Sequence, residues 1–394
     1  MSDANLSVDL KGPLEHLGGL TAAEFLRDYW QKKPLLIRNA FPDIIDLVDG
    51  DTLAGLALEE SVESRFIQEK DNNEWRLEHG PFDEAFFEDM PASHWTLLVQ
   101  AVDHYLPEVA DILDGFAFIP RWRIDDVMVS YAADKGTVGP HSDYYDVFLI
   151  QGEGSREWQI GQPCDETTSL IPKLPLKILS HFEQAESWVL QPGDMLYLPP
   201  GLAHWGIAVG ESITYSVGFR AASQGDMITD FAHYLSEKLP DHSRYSDPDL
   251  TPTSTPGLID KASIERVKAL LQEALAKPGA TEDWLGEFLT QPKYEPSLEP
   301  CDPPFELKEI KALLNQGGDI RVDENTRCNY LLNENGQHRF FINGNAIEQP
   351  AGTENLLMSL CDARHLTKSD LSNTELEWLL LTDLVNQGVV FIEQ

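Results

Sequence analysis

Apolar positions recur at helical spacing in TAAEFLRDYWQKK. Thr21 and Glu24 give that helix a capping box, in which hydroxyl and carboxylate each take a free amide of the first turn. PLLIRNAF follows as a strand, since its proline stops the helix and branched aliphatic residues come next. Asp51 and Ser93 stand as caps to DTLAGLALEE and SHWTLLVQAVDHYL, which read as two more helices with a hairpin, SRFIQEKDNNEWRLEHG, between them. Between residues 120 and 220 the texture changes to short apolar runs broken by glycine and proline: DDVMVSYA, YDVFLIQG, REWQIG, SWVLQ, DMLYLPPG, WGIAVG and SITYSVGFR. Short strands with turn signals between them predict a β-sandwich or barrel.

Helical spacing returns in GDMITDFAHYLSEKLP, ASIERVKALLQEALAK and TEDWLGEFLTQ. The polar, proline-rich DHSRYSDPDLTPTSTPG between the first two reads as a loop or linker. QPKYEPSLEPCDPPFE, with proline at five positions, marks a domain boundary. Beyond it the pattern is a helix, strands around NENG and NG turns, two helices and a terminal strand, VVFIEQ, an order that suits a small winged-helix-like domain.

A chain of 394 residues is too long for one ordinary core, so two or three domains are expected. Acidic residues number 66 against 29 basic, a net charge of −37, which disfavours nucleic-acid phosphates and membranes and favours a basic protein partner. The same charge also serves solubility alone. Cys164, Cys301, Cys328 and Cys361 are scattered, which argues against a disulfide framework or a zinc knuckle. With no signal-peptide pattern at the start and no long apolar run, a reducing, cytoplasmic setting is expected.

Candidate chemistry changes the picture most in two segments. In HSDYYDVFLIQG, His141 and Asp143 are two residues apart, and on a strand they point to the same side. In QPGDMLYLPPGLAHWG, turns at Pro192-Gly193 and Pro199-Pro200-Gly201 flank a strand, and His204 enters the next. The spacing of Gly193, Pro199, Gly201 and His204 is similar to the motif by which cupin barrels deliver their last metal ligand. Two imidazoles and one carboxylate suit one face of Fe(II), although zinc or manganese accepts the same groups. In REWQIG the even positions Arg156, Trp158 and Ile160 share the apolar face. A guanidinium there calls for an anion, and 2-oxoglutarate, which chelates iron at one end and carries a carboxylate at the other, meets both demands. A rim position for Arg156, or a bulge at Gly152 to Gly154 that reverses the parity, is the competing reading.

Together WQKKPLLIRNAF, WRIDDVMVSYA, GPHSDYYDVFLIQGEGSREWQIG, LQPGDMLYLPPGLAHWG and SITYSVGFRA resemble the JmjC-type cupin oxygenases. Among these they resemble the bacterial ribosomal oxygenases, which hydroxylate an arginine of large-subunit ribosomal protein L-sixteen. The resemblance implies a mainly β core, the double-stranded β-helix of the cupin/JmjC fold, with flanking helices. It divides the chain into an oxygenase domain with N-terminal α/β elements at 1–222, a helical dimerisation region at 223–299 and a winged-helix-like domain at 300–394. It implies Fe(II) on His141, Asp143 and His204, with 2-oxoglutarate and O2 as co-substrates. Arg156 and Ser130 then bind the terminal carboxylate; Thr214 stands where such barrels commonly carry asparagine, which weakens a role for it. For a substrate arginine, Tyr145 offers a phenolic wall, and Asp125 and Asp126 offer acceptors. A homodimer, a basic ribosomal protein partner, no membrane and no direct nucleic-acid contact complete the expectation. Two other functions stay open on the residues alone: a metal-dependent cupin enzyme that does not use 2-oxoglutarate, and a non-catalytic scaffold.

Overall fold

The computed structural model describes residues 12–70, 74–240, 242–294, 298–333 and 335–394. The chain forms two compact units, 1–221 and 222–394.

The first unit opens with α1 (Ala22–Asp28), β1 (Leu35–Ile37), α2 (Gly50–Leu56), the hairpin β2 (Ser64–Lys70) and β3 (Glu74–His79), α3 (Glu84–Glu88), β4 (Trp95–Val99) and α4 (Pro107–Ala110). Then come β5 (Ile124–Ala132), β6 (Val147–Pro163), β7 (Glu186–Leu190), β8 (Met195–Leu198) and β9 (Leu202–Phe219). The expected capping box is present: Thr21 Oγ1 accepts from the Glu24 amide, and Glu24 accepts from the Thr21 amide. The nine strands form one antiparallel sheet, ordered β1-β8-β6-β9-β5-β4-β2-β3, with β7 against β6.

Three expectations are corrected here. SHWTLLVQAVDHYL is not a helix capped by Ser93; it is β4 followed by a 3-10 turn at Val102–His104. All five residues of β4 are buried, between β2 and β5, and a strand covered on both faces loses the alternation that marks strands in a sequence. The cap of α2 is Asp49, which accepts from the Thr52 amide at 2.8 Å, while Asp51 lies in the first turn. YDVFLIQG and REWQIG are one strand, as are WGIAVG and SITYSVGFR, and the glycines between them are sites of register shift rather than turns.

Two apolar clusters cover the two faces of the central strands. Phe148, Ile150, Met195, Tyr197, Tyr215 and Val217 point outward to Phe25, Phe116 and the other N-terminal residues. Val147, Leu149, Trp158, Ile160, Leu190, Leu196 and Leu198 line the inner face.

The second unit contains α5 (Gln224–Glu237), α6 (Lys261–Leu275), α7 (Ala280–Thr290), α8 (Leu307–Asn315), β10 (Asp319–Val322), β11 (Cys328–Leu332), β12 (His338–Ile342), β13 (Asn345–Ile347), α9 (Glu354–Asp362), β14 (His365–Leu366), α10 (Glu375–Asn386) and β15 (Val390–Glu393). Trp284 of α7 packs at a tilt against Phe231 of α5, and its indole N–H donates to Asp230 at 2.7 Å. Residues of α8, α9 and α10 close a core over the strands, with Ile310, Leu357, Leu381 and Phe340 at its centre. No helix among the described residues is long and apolar enough to cross a membrane.

Candidate metal centre and co-substrate site

His141 and His204 face each other as a two-residue bridge: each amide donates to the other's carbonyl, at 3.0 and 2.8 Å. Asp143 lies beyond the bridge in irregular chain, so it reaches the same place through a loop and not through the pleat of a strand. The Pro199-Pro200-Gly201 turn secures that loop, since the Gly201 amide donates to the Asp143 carbonyl at 2.7 Å. Gly201 has φ +71, which a glycine adopts freely.

The side chains then converge. His204 Nε2 is 3.5 Å and His141 Nε2 3.9 Å from the same Asp143 oxygen, and one donor atom from each residue lies within 4.8 Å of the other two. Donors ~2.1 Å from one ion stand ~3 Å apart at right angles and ~4 Å apart when opposed, so the three positions suit a single cation. Nδ1 of His141 is 2.9 Å from the Gly139 carbonyl, and Nδ1 of His204 is 2.9 Å from the Leu202 carbonyl. A carbonyl only accepts, so each Nδ1 carries the proton and each Nε2 presents a lone pair toward Asp143. Burial first, and the neighbouring His141 second, push His204 down to about 4, which keeps it neutral and able to ligate. The donor set therefore fits an Fe(II) ion with one face left open.

Arg156 is on the inner face, as its parity predicts, and is 3 % exposed. Its NH1 donates to Ser130 Oγ at 3.1 Å and lies 3.4 Å from Thr214 Oγ1. The guanidinium carbon sits over the Trp158 ring, 5.3 Å from its centroid. Burial alone pushes the guanidinium down to about 10, so it stays charged at neutral pH; among the described residues no carboxylate answers it. Arg156 Nε and Trp158 Nε1 are buried with no hydrogen-bond partner among the described residues. An enclosed cation with unfilled donors, on the same face as the three candidate ligands, is the chemistry a dicarboxylate requires. Gly206 makes room for it: a Cβ there would stand 2.7 Å from the Trp158 ring and 2.9 Å from Arg156 Nε.

The candidate substrate contacts fare differently. Tyr145 keeps 42 % of its surface exposed, while burial of its hydroxyl end and the adjacent Asp143 charge push the phenol up, so it remains a donor. Asp126 is enclosed, and both of its oxygens accept from Gln100 at 3.0 Å. Asp125 accepts from Arg220 at 3.2 Å. Both carboxylates thus already serve neighbouring residues of this chain. Thr214, doubtful in sequence, is brought directly to Arg156, whereas Trp158 has no signal as part of a pocket beyond its parity and Gly206 has none.

Residues 111–227 match the JmjC domain and residues 270–391 the ROXA-like winged helix. The chain is 37 % identical over 315 residues to the ribosomal protein uL16 3-hydroxylase of Escherichia coli, covering 78 % of this chain and 83 % of that protein. It is 33 % identical over 394 residues to a probable ribosomal oxygenase of Haemophilus influenzae, covering 97 % and 92 %. Among solved structures, the E. coli ribosomal oxygenase YcfD in complex with cobalt and 2-oxoglutarate superposes with a TM-score of 0.82 at 34 % identity, over 95 % of this chain and 99 % of that one. The protein is thus a JmjC-fold oxygenase, its large antiparallel sheet the cupin core. Within that class it belongs to the ribosomal oxygenase family.

Proposed function

We propose that the protein hydroxylates an arginine side chain of a basic large-subunit ribosomal protein of the uL16 type, using Fe(II), 2-oxoglutarate and O2. His141, Asp143 and His204 hold the metal, and Arg156, braced by the Ser130 hydroxyl, takes the far carboxylate of 2-oxoglutarate. The observation that carries this reading is the pairing, on one inner face, of three converging donors with a buried guanidinium that lacks an anion. Bound iron supplies oxygen activation coupled to decarboxylation of 2-oxoglutarate, giving succinate, carbon dioxide and one oxygen on the substrate carbon. The residues supply placement: two carbonyls orient the imidazoles, Arg156 anchors the co-substrate, and Trp158 and the aliphatic inner face exclude water. Tyr145 forms the wall against which the substrate side chain lies.

The net charge of −37 supports a basic protein partner over nucleic acid. A ribosomal protein as substrate is what supports a cytoplasmic setting in this reading. The segment 223–299 is proposed as a dimerisation region, because α6 exposes Ile264, Val267, Leu270, Leu271 and Leu275. Leu271→Asp is expected to halve the mass seen by light scattering, and a parent already monomeric at tens of micromolar would remove this part of the proposal.

Incubation of the iron-loaded protein with 2-oxoglutarate, oxygen and purified ribosomal proteins should add one oxygen to a single basic protein, with succinate formed in step. His141→Ala should abolish succinate while leaving the circular dichroism spectrum unchanged. Succinate formation at the parent rate in that variant would show the metal assignment to be wrong.

A further inference from the structure

Between the rungs Gln151–Thr214 and Gly154–Ser212, β6 carries one residue more than β9. An extra residue reverses which positions face inward. Val147 and Leu149 therefore line the inner face before the bulge, and Arg156, Trp158 and Ile160 line it after. In an unbroken strand Arg156 would point outward, and Ser155 and Glu157 would take its place.

A bulge leaves backbone carbonyls without ladder partners, and here one side chain serves them. Gln151, fully buried, directs Nε2 at the Glu153 carbonyl at 2.7 Å, with Ser212 Oγ at 3.0 Å, the Ile213 carbonyl at 3.1 Å and the Gly154 carbonyl at 3.4 Å. Three of these four neighbours are carbonyls, which can only accept, so the amide cannot flip and its oxygen is held toward Thr214. Thr214 Oγ1 donates to that oxygen at 3.4 Å. Having spent its one hydrogen there, the threonine hydroxyl can only accept from Arg156 NH1. Ser130 behaves alike, giving its hydrogen to the Thr214 carbonyl at 3.4 Å and its lone pair to NH1. Gln151, Thr214 and Ser130 are one rung across β6, β9 and β5.

We propose that Gln151 is a positioning residue for the 2-oxoglutarate carboxylate: it stabilises the bulge that turns Arg156 inward, and through Thr214 it holds NH1 so that the remaining guanidinium donors stay open. This rests on the co-substrate role of Arg156 given above. Gln151 touches neither metal nor co-substrate.

The test is the dissociation constant of 2-oxoglutarate for the Mn(II)-loaded protein, titrated anaerobically in a calorimeter, with the Mn(II) constant measured alongside. Gln151→Met keeps length and loses the amide; it should weaken 2-oxoglutarate at least tenfold and Mn(II) less than twofold. In an Arg156→Met background the same change should add less than twofold, because its effect passes through Arg156. Parent-like affinity in Gln151→Met, or an equal loss in both backgrounds, overturns the proposal. Should Gln151→Met fail to fold, Thr214→Val, which removes only the relay hydroxyl, must weaken 2-oxoglutarate several-fold, and parent-like binding there overturns it as well. A parent protein that loads Mn(II) but binds no 2-oxoglutarate would instead refute the co-substrate reading beneath.

Discussion

Replacing Arg156 with methionine should move two properties in opposite directions. The drop of the guanidinium from 12.5 to about 10 through burial corresponds to a penalty of about 3 kcal/mol on the charged form, at about 1.4 kcal/mol per tenfold. Methionine of similar length removes that penalty. It also removes the desolvated contact with the Trp158 ring and the bonds to Ser130 and Thr214, together worth about 2 kcal/mol, since both hydroxyls keep the bonds they donate. Without 2-oxoglutarate the variant should therefore be more stable by about 1 kcal/mol, raising the melting temperature of this unit by about 2–4 °C. With the metal-loaded parent, 2-oxoglutarate at a hundred times its dissociation constant adds about 2.7 kcal/mol, and the variant at the same concentration should gain little of it. Differential scanning calorimetry under nitrogen, with and without the co-substrate, measures both. A variant that melts lower than the parent when unliganded and keeps the full ligand-induced shift would refute the account of Arg156 as an unanswered buried cation.

Gly154 has φ +63, and a Cβ there would run into the Glu211 carbonyl, a backbone atom that only strand separation can move. Gly154→Ala should cost more than the ~1–2 kcal/mol of left-handed strain alone, visible as a lower urea midpoint, and an unchanged midpoint would count against the bulge as drawn. His16 packs among Phe41, Phe116 and Phe118, and burial lowers it from 6.5. Its neutral form is thus favoured by folding, so the stability it contributes is present above pH 6.5 and is lost as pH falls toward the lowered folded value. His16→Leu should flatten the dependence of the urea midpoint on pH below 6.5, and an identical slope in parent and variant would reject this.

The metal motif was legible because its parts are local: a tight turn, a strand and a second turn at fixed spacing deliver His204. Arg156 was assigned to the inner face by parity within REWQIG, which is correct over that stretch. The bulge at Gly152 to Gly154, weighed as something that would turn Arg156 out, is what turns it in relative to Val147 and Leu149. Its effect depends on the count of residues in β9, a strand more than forty positions away, and no local pattern carries that. Gln151 was silent for the same reason, since its partners are carbonyls freed by the bulge. β4 reads as a helix in the sequence because burial on both faces erases its alternation.

Two main-chain carbonyls hold the imidazoles, and main-chain bonds tie His141 to His204 and Asp143 to Gly201, so the polypeptide itself braces all three donors. A cage braced in this way adapts little to its guest, and zinc, which stands above iron in the order of divalent affinities, would occupy it more tightly and leave it inert. Protection against mismetallation must then come from outside the polypeptide, through which ions the cell keeps free while the enzyme is being made.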